Sequence, residues 1–248
     1  MNPLSKEYNL PFHFRGLIRR RLVWLLSRKC RVLTDVWYAV SPTQFGQLYP
    51  MVRPYTMCSA VRLLGLYRAV IHVLSHGIPG DLVECGTARG GSAALMGLSL
   101  NRLGASRILW VFDTFEGLPP PTDGDPDREI AEQCTGGCRG DIEQVKAFFD
   151  SVGILAQCKL VKGLFQDTLP TCNVKAIAVL HIDSDWYESV KACLDHFYDR
   201  VSPGGVIQID DYGYWEGARR AVDEFLGRRS GHLRLRRLDY AGRQLVKP

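Results

Sequence analysis

The chain has 248 residues, 46% of them hydrophobic and 23% charged, with a formal net charge of +5, the profile of an ordinary globular protein that buries a core without disulfide or metal staples. Collagenous, disordered and disulfide-scaffold classes are excluded, and no apolar run approaches the roughly 18 residues of a membrane span. The charge is uneven: residues 1–33 hold eight Lys/Arg against the single acid Glu7, while the remainder carries 23 bases against 25 acids, so the body shows no nucleic-acid-binding signature.

In chain order, residues 15–31 read as an amphipathic basic helix, ordinarily a subunit arm with a solvated face, with docking on an anionic membrane surface as the alternative. Its apolar stretch at 22–26 is flanked by Arg on both sides and lacks a cleavage site, which argues against a signal peptide. The arm is assigned to residues 1–50 and the catalytic domain to 51–248. Residues 51–76 predict a helix capping the open top of a sheet. Buried strands are expected at 82–86, 108–113, 177–183 and 206–211, with a weaker one at 159–163; helices are expected at 92–103, 142–152, 187–198 and 216–226. Such alternation marks an α/β domain with a mostly parallel sheet, binding ligands at the carboxyl ends of its strands.

The end of the chain departs from alternation. Residues 232–238 and 243–247 read as strands around a turn at Tyr240-Ala241-Gly242, and strands joined so tightly are antiparallel. A Rossmann-like, mostly parallel seven-stranded sheet that ends in an antiparallel hairpin is the class I methyltransferase arrangement. Residues 114–140, rich in Pro, Gly and Asp, exceed a normal βα connection and read as a lid. The eight cysteines are scattered, as in a reducing, cytoplasmic setting; Cys134 and Cys138 lack the second pair that a zinc site needs and read as loop cysteines. His181 reads as a core or pocket-edge histidine and His196 as structural.

The first strand runs into a glycine-rich turn, Gly86-Thr87-Ala88-Arg89-Gly90-Gly91-Ser92, where backbone and a helix start approach a ligand. The spacing is not G-x-G-x-x-G and no Walker lysine is present, so nicotinamide and nucleoside-triphosphate readings lose their support. Glu84 at the strand end suits a cationic ligand, and S-adenosylmethionine carries an ammonium and a sulfonium. Asp113, closing the second strand, stands where a carboxylate accepts ribose hydroxyls.

Two further strands end in acids: Asp183-Ser184-Asp185 and Asp210-Asp211. If these strands are neighbours, Asp183, Asp210 and Asp211 converge, and carboxylates so close raise each other's pKa unless a cation lies among them. Oxygen ligands alone point to a hard ion, magnesium. Such an ion polarises a hydroxyl for methyl transfer, and Asp185 is placed to take the proton. Spacing leaves open whether Asp183 or Asp185 is the ligand, and it also permits Asp185 as a cap of the following helix. Tyr212, Tyr214 and Trp215 read as a stacking wall for a sugar or aromatic ring, or as cover for the sheet edge.

Linked blocks spread over about residues 50–228 carry a resemblance: Pro54-Tyr55-Thr56-Met57, Ile78-Pro79-Gly80-Asp81-Leu82-Val83-Glu84-Cys85-Gly86, Phe112-Asp113-Thr114-Phe115-Glu116-Gly117-Leu118-Pro119, Asp183-Ser184-Asp185-Trp186-Tyr187-Glu188-Ser189, and Asp210-Asp211-Tyr212. Together they resemble the macrocin O-methyltransferase family, which includes magnesium-dependent sugar O-methyltransferases of antibiotic pathways. The resemblance implies S-adenosylmethionine contacts at Thr56, Met57, Glu84, Cys85, Gly86, Thr87 and Ala88, at Asp113, Thr114, Phe115, Glu116 and Gly117, and at Gln166 and Asp167. It also implies magnesium on Asp183, Asp210 and Asp211 with Asp185 as base. Thr87-Ala88 departs from the Val-aromatic pair usual there, and residues 1–40 have no counterpart. The expected activity is methylation of a hydroxyl on a small molecule, a natural-product sugar or glycan, by a homo-oligomer. A catechol-like phenol as acceptor, or a silent S-adenosylmethionine-binding scaffold, are the alternatives.

Overall fold

The computed structural model describes residues 35–38, 40–229 and 233–248; the basic helix read at 15–31 lies outside them. Five apolar segments form parallel strands, β1 (Asp81–Cys85), β2 (Leu109–Asp113), β3 (Cys158–Lys162), β4 (Ile177–Ile182) and β5 (Val201–Ile209). Two more, β6 (Arg236–Arg237) and β7 (Arg243–Val246), add antiparallel, giving the order β3-β2-β1-β4-β5-β7-β6. The helices are α1 (Gln44–Val52), α2 (Ala60–Ser75), α3 (Gly91–Arg102), α4 (Arg128–Glu132), α5 (Ile142–Ser151), α6 (Phe165–Thr168), α7 (Tyr187–Phe197) and α8 (Glu216–Gly227). This is the class I methyltransferase architecture anticipated from the alternation and the terminal hairpin.

Successive side chains of a strand point to opposite faces, so this mostly parallel sheet has two apolar faces, and each is covered. Leu82, Leu109, Val111, Val179 and Val206 pack beneath α1, α2, α3 and α5 with Val52, Leu63, Leu66, Leu95 and Phe149. Val83, Phe112, Leu180, Ile182, Ile207 and Ile209 pack against Val190 and Phe197 of α7 and Val222 and Phe225 of α8. At the carboxyl end of the first face the apolar pattern gives way to Glu84, His181 and Gln208, aligned across β1, β4 and β5 and fully buried.

The helix expected over 51–76 is two helices. A 3-10 turn, Arg53–Tyr55, follows α1, and Ser59 caps α2 by accepting the Arg62 N–H at 3.2 Å. Pro54, lacking an N–H, marks the break, which frees Thr56, Met57 and Cys58 to face the sheet's open end. The boundary drawn at 50/51 falls inside α1, whose Phe45, Leu48 and Tyr49 are core residues. Strand β5 begins earlier than predicted in spite of Pro203: Val201 pairs with Ile177 of β4, the Gly204 N–H donates to the Lys247 carbonyl just past β7, and the Lys247 N–H donates to the Gly205 carbonyl. The segment 114–140 is packed, with Ala131 and Cys134 in the second core. Among the described residues no helix is long and apolar enough to cross a membrane.

Phe149 is fully buried where α5 meets the first core. Phe149→Ala is expected to cost about 3–5 kcal/mol, read by urea unfolding.

Candidate active site

Register aligns Cys85 with Ile182 and Ile182 with Ile209, so the tips of β1, β4 and β5 are level. Gly86 (φ +86°) follows the first; a Cβ there would lie 1.7 Å from the Asp183 carbonyl oxygen, so only glycine permits this approach. Above the tips lies a cavity of about 270 Å³. The break before α2 contributes Thr56, Met57 and Cys58; the glycine turn contributes Gly86, Thr87, Ala88 and Ser92. Asp113, Thr114 and Gly117 follow β2, and Gln166 enters from α6. Asp183, Asp185 and Asp211 complete the wall with Tyr214 and Trp215.

Other expected residues lie elsewhere. Glu84 sits beneath the turn, accepting from Thr87 Oγ1 at 2.6 Å and paired with His181 Nδ1 at 2.8 Å, so it braces the turn from below. Cys85 points into the opposite core and Phe115 is buried. Glu116 is exposed and paired with Lys162 at 2.8 Å, and Asp167 is also exposed. Asp113 lines the cavity but also stitches it: one oxygen accepts the Thr87 and Ala88 N–H groups at 2.7 and 3.1 Å, the other the Phe115 N–H at 2.7 Å. Of the aromatic wall, Tyr214 and Trp215 face the cavity, whereas Tyr212 stacks under Arg219 and Arg243.

The acids divide into two kinds. Asp210 is fully buried with both oxygens engaged: Oδ1 by His181 Nε2 and Gln208 Nε2, each at 3.1 Å, and Oδ2 by Arg62 Nη1 at 2.7 Å and Cys58 Sγ at 3.0 Å. Burial pushes its pKa up, but Arg62 and His181 outweigh burial and hold the carboxyl below the usual range. Asp183 is raised well above that range, by burial first and then by Asp210 and Asp211. Asp185 is raised by burial and by Asp211. Asp211 is pushed up to about 6 by burial and by Asp210. Its Oδ2 is buried without a hydrogen-bond partner among the described residues.

These observations fit a hard divalent ion. An orphaned carboxylate oxygen and crowded acids with raised proton affinity are what a dication would satisfy. Asp183 and Asp211 fit it as they stand, while Asp210 would join by exchanging Arg62 and Cys58. Donor atoms of Cys58, His181, Asp183 and Asp210 lie within 4.8 Å of one another.

Asp185 does not cap α7, whose N-cap is Trp186. It adopts a left-handed backbone (φ +58°), and its Oδ1 accepts the Trp215 indole N–H at 2.7 Å. That bond, together with Cys58 and Arg62, was not read from the sequence. The one available signal was a charge, Arg62, inside an apolar helical stretch.

The sequence profile of the macrocin-O-methyltransferase (TylF) family matches residues 31–245. An 8-demethyl-8-(2,3-dimethoxy-alpha-L-rhamnosyl)-tetracenomycin-C 4'-O-methyltransferase of Streptomyces olivaceus is 37% identical over 223 residues, covering 87% of this chain and 85% of that protein. The mycinamicin III 3''-O-methyltransferase of Micromonospora griseorubida is 32% identical, covering 79% and 80%. Among solved structures, the O-methyltransferase NovP superposes with a TM-score of 0.74 at 33% identity, covering 78% of this chain and 82% of that one.

Asp211 binds its proton more tightly folded (about 6) than at its ordinary value of 3.8. Its contribution to stability is therefore full below that ordinary value and is lost as pH rises through about 6. In chelator, Asp211→Asn is expected to stabilise the protein at about pH 7.5 and to do so far less at about pH 4.5. Thermal unfolding at both values checks this, and a gap between variant and wild type that fails to widen with pH contradicts it.

Proposed function

This chain belongs to the macrocin O-methyltransferase family, and on that premise we propose that it moves the methyl group of S-adenosylmethionine to a sugar hydroxyl on a natural product, with magnesium at the acidic strand tips. The observation that carries the reading is the convergence of Asp183, Asp185 and Asp211 on a cavity also walled by the glycine turn and Asp113. That the S. olivaceus relative is named for 4'-O-methylation of a rhamnosyl-tetracenomycin supports a sugar acceptor.

In this reading the turn of Gly86, Thr87 and Ala88, fastened to Asp113, would hold the methyl donor. Asp183 and Asp211, joined by Asp210, would hold the ion. When bound, magnesium lowers the proton affinity of a hydroxyl and stabilises negative charge on oxygen. Asp185 takes the hydroxyl proton; the acceptor oxygen forms a bond to the methyl carbon as the carbon–sulfur bond breaks, leaving S-adenosylhomocysteine and a methyl ether. Trp215 occupies Asp185 Oδ1, which leaves the second oxygen for the proton. Burial raises the proton affinity of Asp185, which suits a group that accepts a proton. Tyr214 and Trp215 give a sugar face an apolar surface to lie on.

Mass analysis with S-adenosylmethionine and a panel of rhamnosylated polyketides and catechols tests the acceptor class; gain of one methylene on the catechols alone would sink the sugar reading. Asp185→Asn is expected to lower kcat by about 10²–10⁴-fold while calorimetric cofactor affinity holds. Chelation should abolish turnover and magnesium restore it; turnover indifferent to chelator would remove the ion from the scheme.

A further inference from the structure

The segment 114–140 has so far been only a wall, yet its apex, Asp123-Gly124-Asp125-Pro126-Asp127, reaches two helix starts. Helices α7 and α8 follow the two acidic tips. Their N-cap residues, Trp186 and Trp215, form no side-chain cap, so the first-turn N–H groups need acceptors from elsewhere. Asp125, only 4% exposed, accepts the Tyr187 N–H on Oδ1 at 2.7 Å while Thr122 N–H holds its Oδ2 at 2.9 Å. Asp127 Oδ2 accepts the Glu216 N–H at 3.3 Å. Space is reserved for this contact: a Cβ on Gly217 would lie 2.0 Å from Asp125 Oδ1. The Trp186 indole N–H donates to Pro119 O at 2.7 Å, and its ring meets Trp215 edge-on at 4.9 Å between centroids.

We infer that Asp125 and Asp127 are positioning residues, capping α7 and α8 from across the molecule and so clamping the Asp185–Trp215 pair from both sides. The inference rests on the proposed role of Asp185. That residue lies two positions before Tyr187, and Trp215 immediately precedes Glu216, so each cap sits beside one partner of the 2.7 Å bond. A non-glycine residue at φ +58° persists only where its surroundings over-determine it, and the caps supply that constraint. Negative charge at both N-termini also suits the helix dipoles.

Amide hydrogen exchange and steady-state kinetics on the full chain test this. In Asp125→Ala, exchange at Tyr187 is expected to speed up about 5–30-fold and kcat to fall by a similar factor, with S-adenosylmethionine affinity within about twofold. Asp125→Asn, which keeps one acceptor oxygen for the Tyr187 N–H but sets its amide against the Thr122 N–H, should restore part of both losses, and Glu129→Ala, at an exposed position of α4, should change neither. If Asp125→Ala fails to fold, Asp127→Ala gives the same pattern at Glu216. Unchanged exchange, faster exchange with unchanged kcat, or a kcat loss that Asn does not rescue would each overturn the inference. Absence of methyl transfer in the wild-type protein would instead count against the proposed activity, and the exchange measurement would still decide the capping.

Discussion

Placing the ends of β4 and β5 side by side forces four carboxylates into one desolvated space, and the rest of the site is a response to that crowding. Like charges this close cannot all ionise in a low-dielectric surround. The molecule treats them unequally. Asp210 receives Arg62 and a histidine that is itself backed by Glu84, so it is the compensated anion of the set. Asp183, Asp185 and Asp211 face the cavity without equivalent compensation, and burial together with their neighbouring carboxylates raises their proton affinities. A buried ion pair such as Arg62–Asp210 is weak grounds for stability, since desolvation offsets attraction. Its effect is to hold α2 over the strand tips, and with it the Thr56-Met57-Cys58 wall.

The same economy extends sideways. Glu84, His181, Gln208 and Gln244 form a buried row in which each polar group finds its partner in the next strand or at the acidic tip. Buried polar groups left unpaired cost more than the bonds they make, so this row locks the registers of β1, β4, β5 and β7. Thr87 joins it through Glu84, which gives the family-atypical residue a structural partner. The cavity rim is tied in the opposite direction, through the apex of the 114–140 segment.

Much of the fold was legible because its signals are local. Apolar runs of strand length closed by Gly or Asp located β1, β2 and β4 to within a residue, and the turn at 240–242 implied the antiparallel finish. The helix at 51–76 was misread as continuous because apolar periodicity persists across Pro54 and Ser59, and the break shows only in the cap that Ser59 provides. Glu84 was read as facing a ligand because it ends a strand, yet strand parity sends it to the covered face with His181.

By itself the sequence determined the kinds of element, their order, the glycine turn and the acids at the strand tips, since period-two and helical patterns and short turn motifs are written within a few residues. Only the tertiary structure decided which acid is neutralised and which are left facing the cavity. Arg62 meets Asp210 across 148 residues, and Asp125 meets Tyr187 across 62. Contacts of that separation depend on sheet register and helix packing, and no local pattern encodes the distance between two side chains that meet only after the chain has closed.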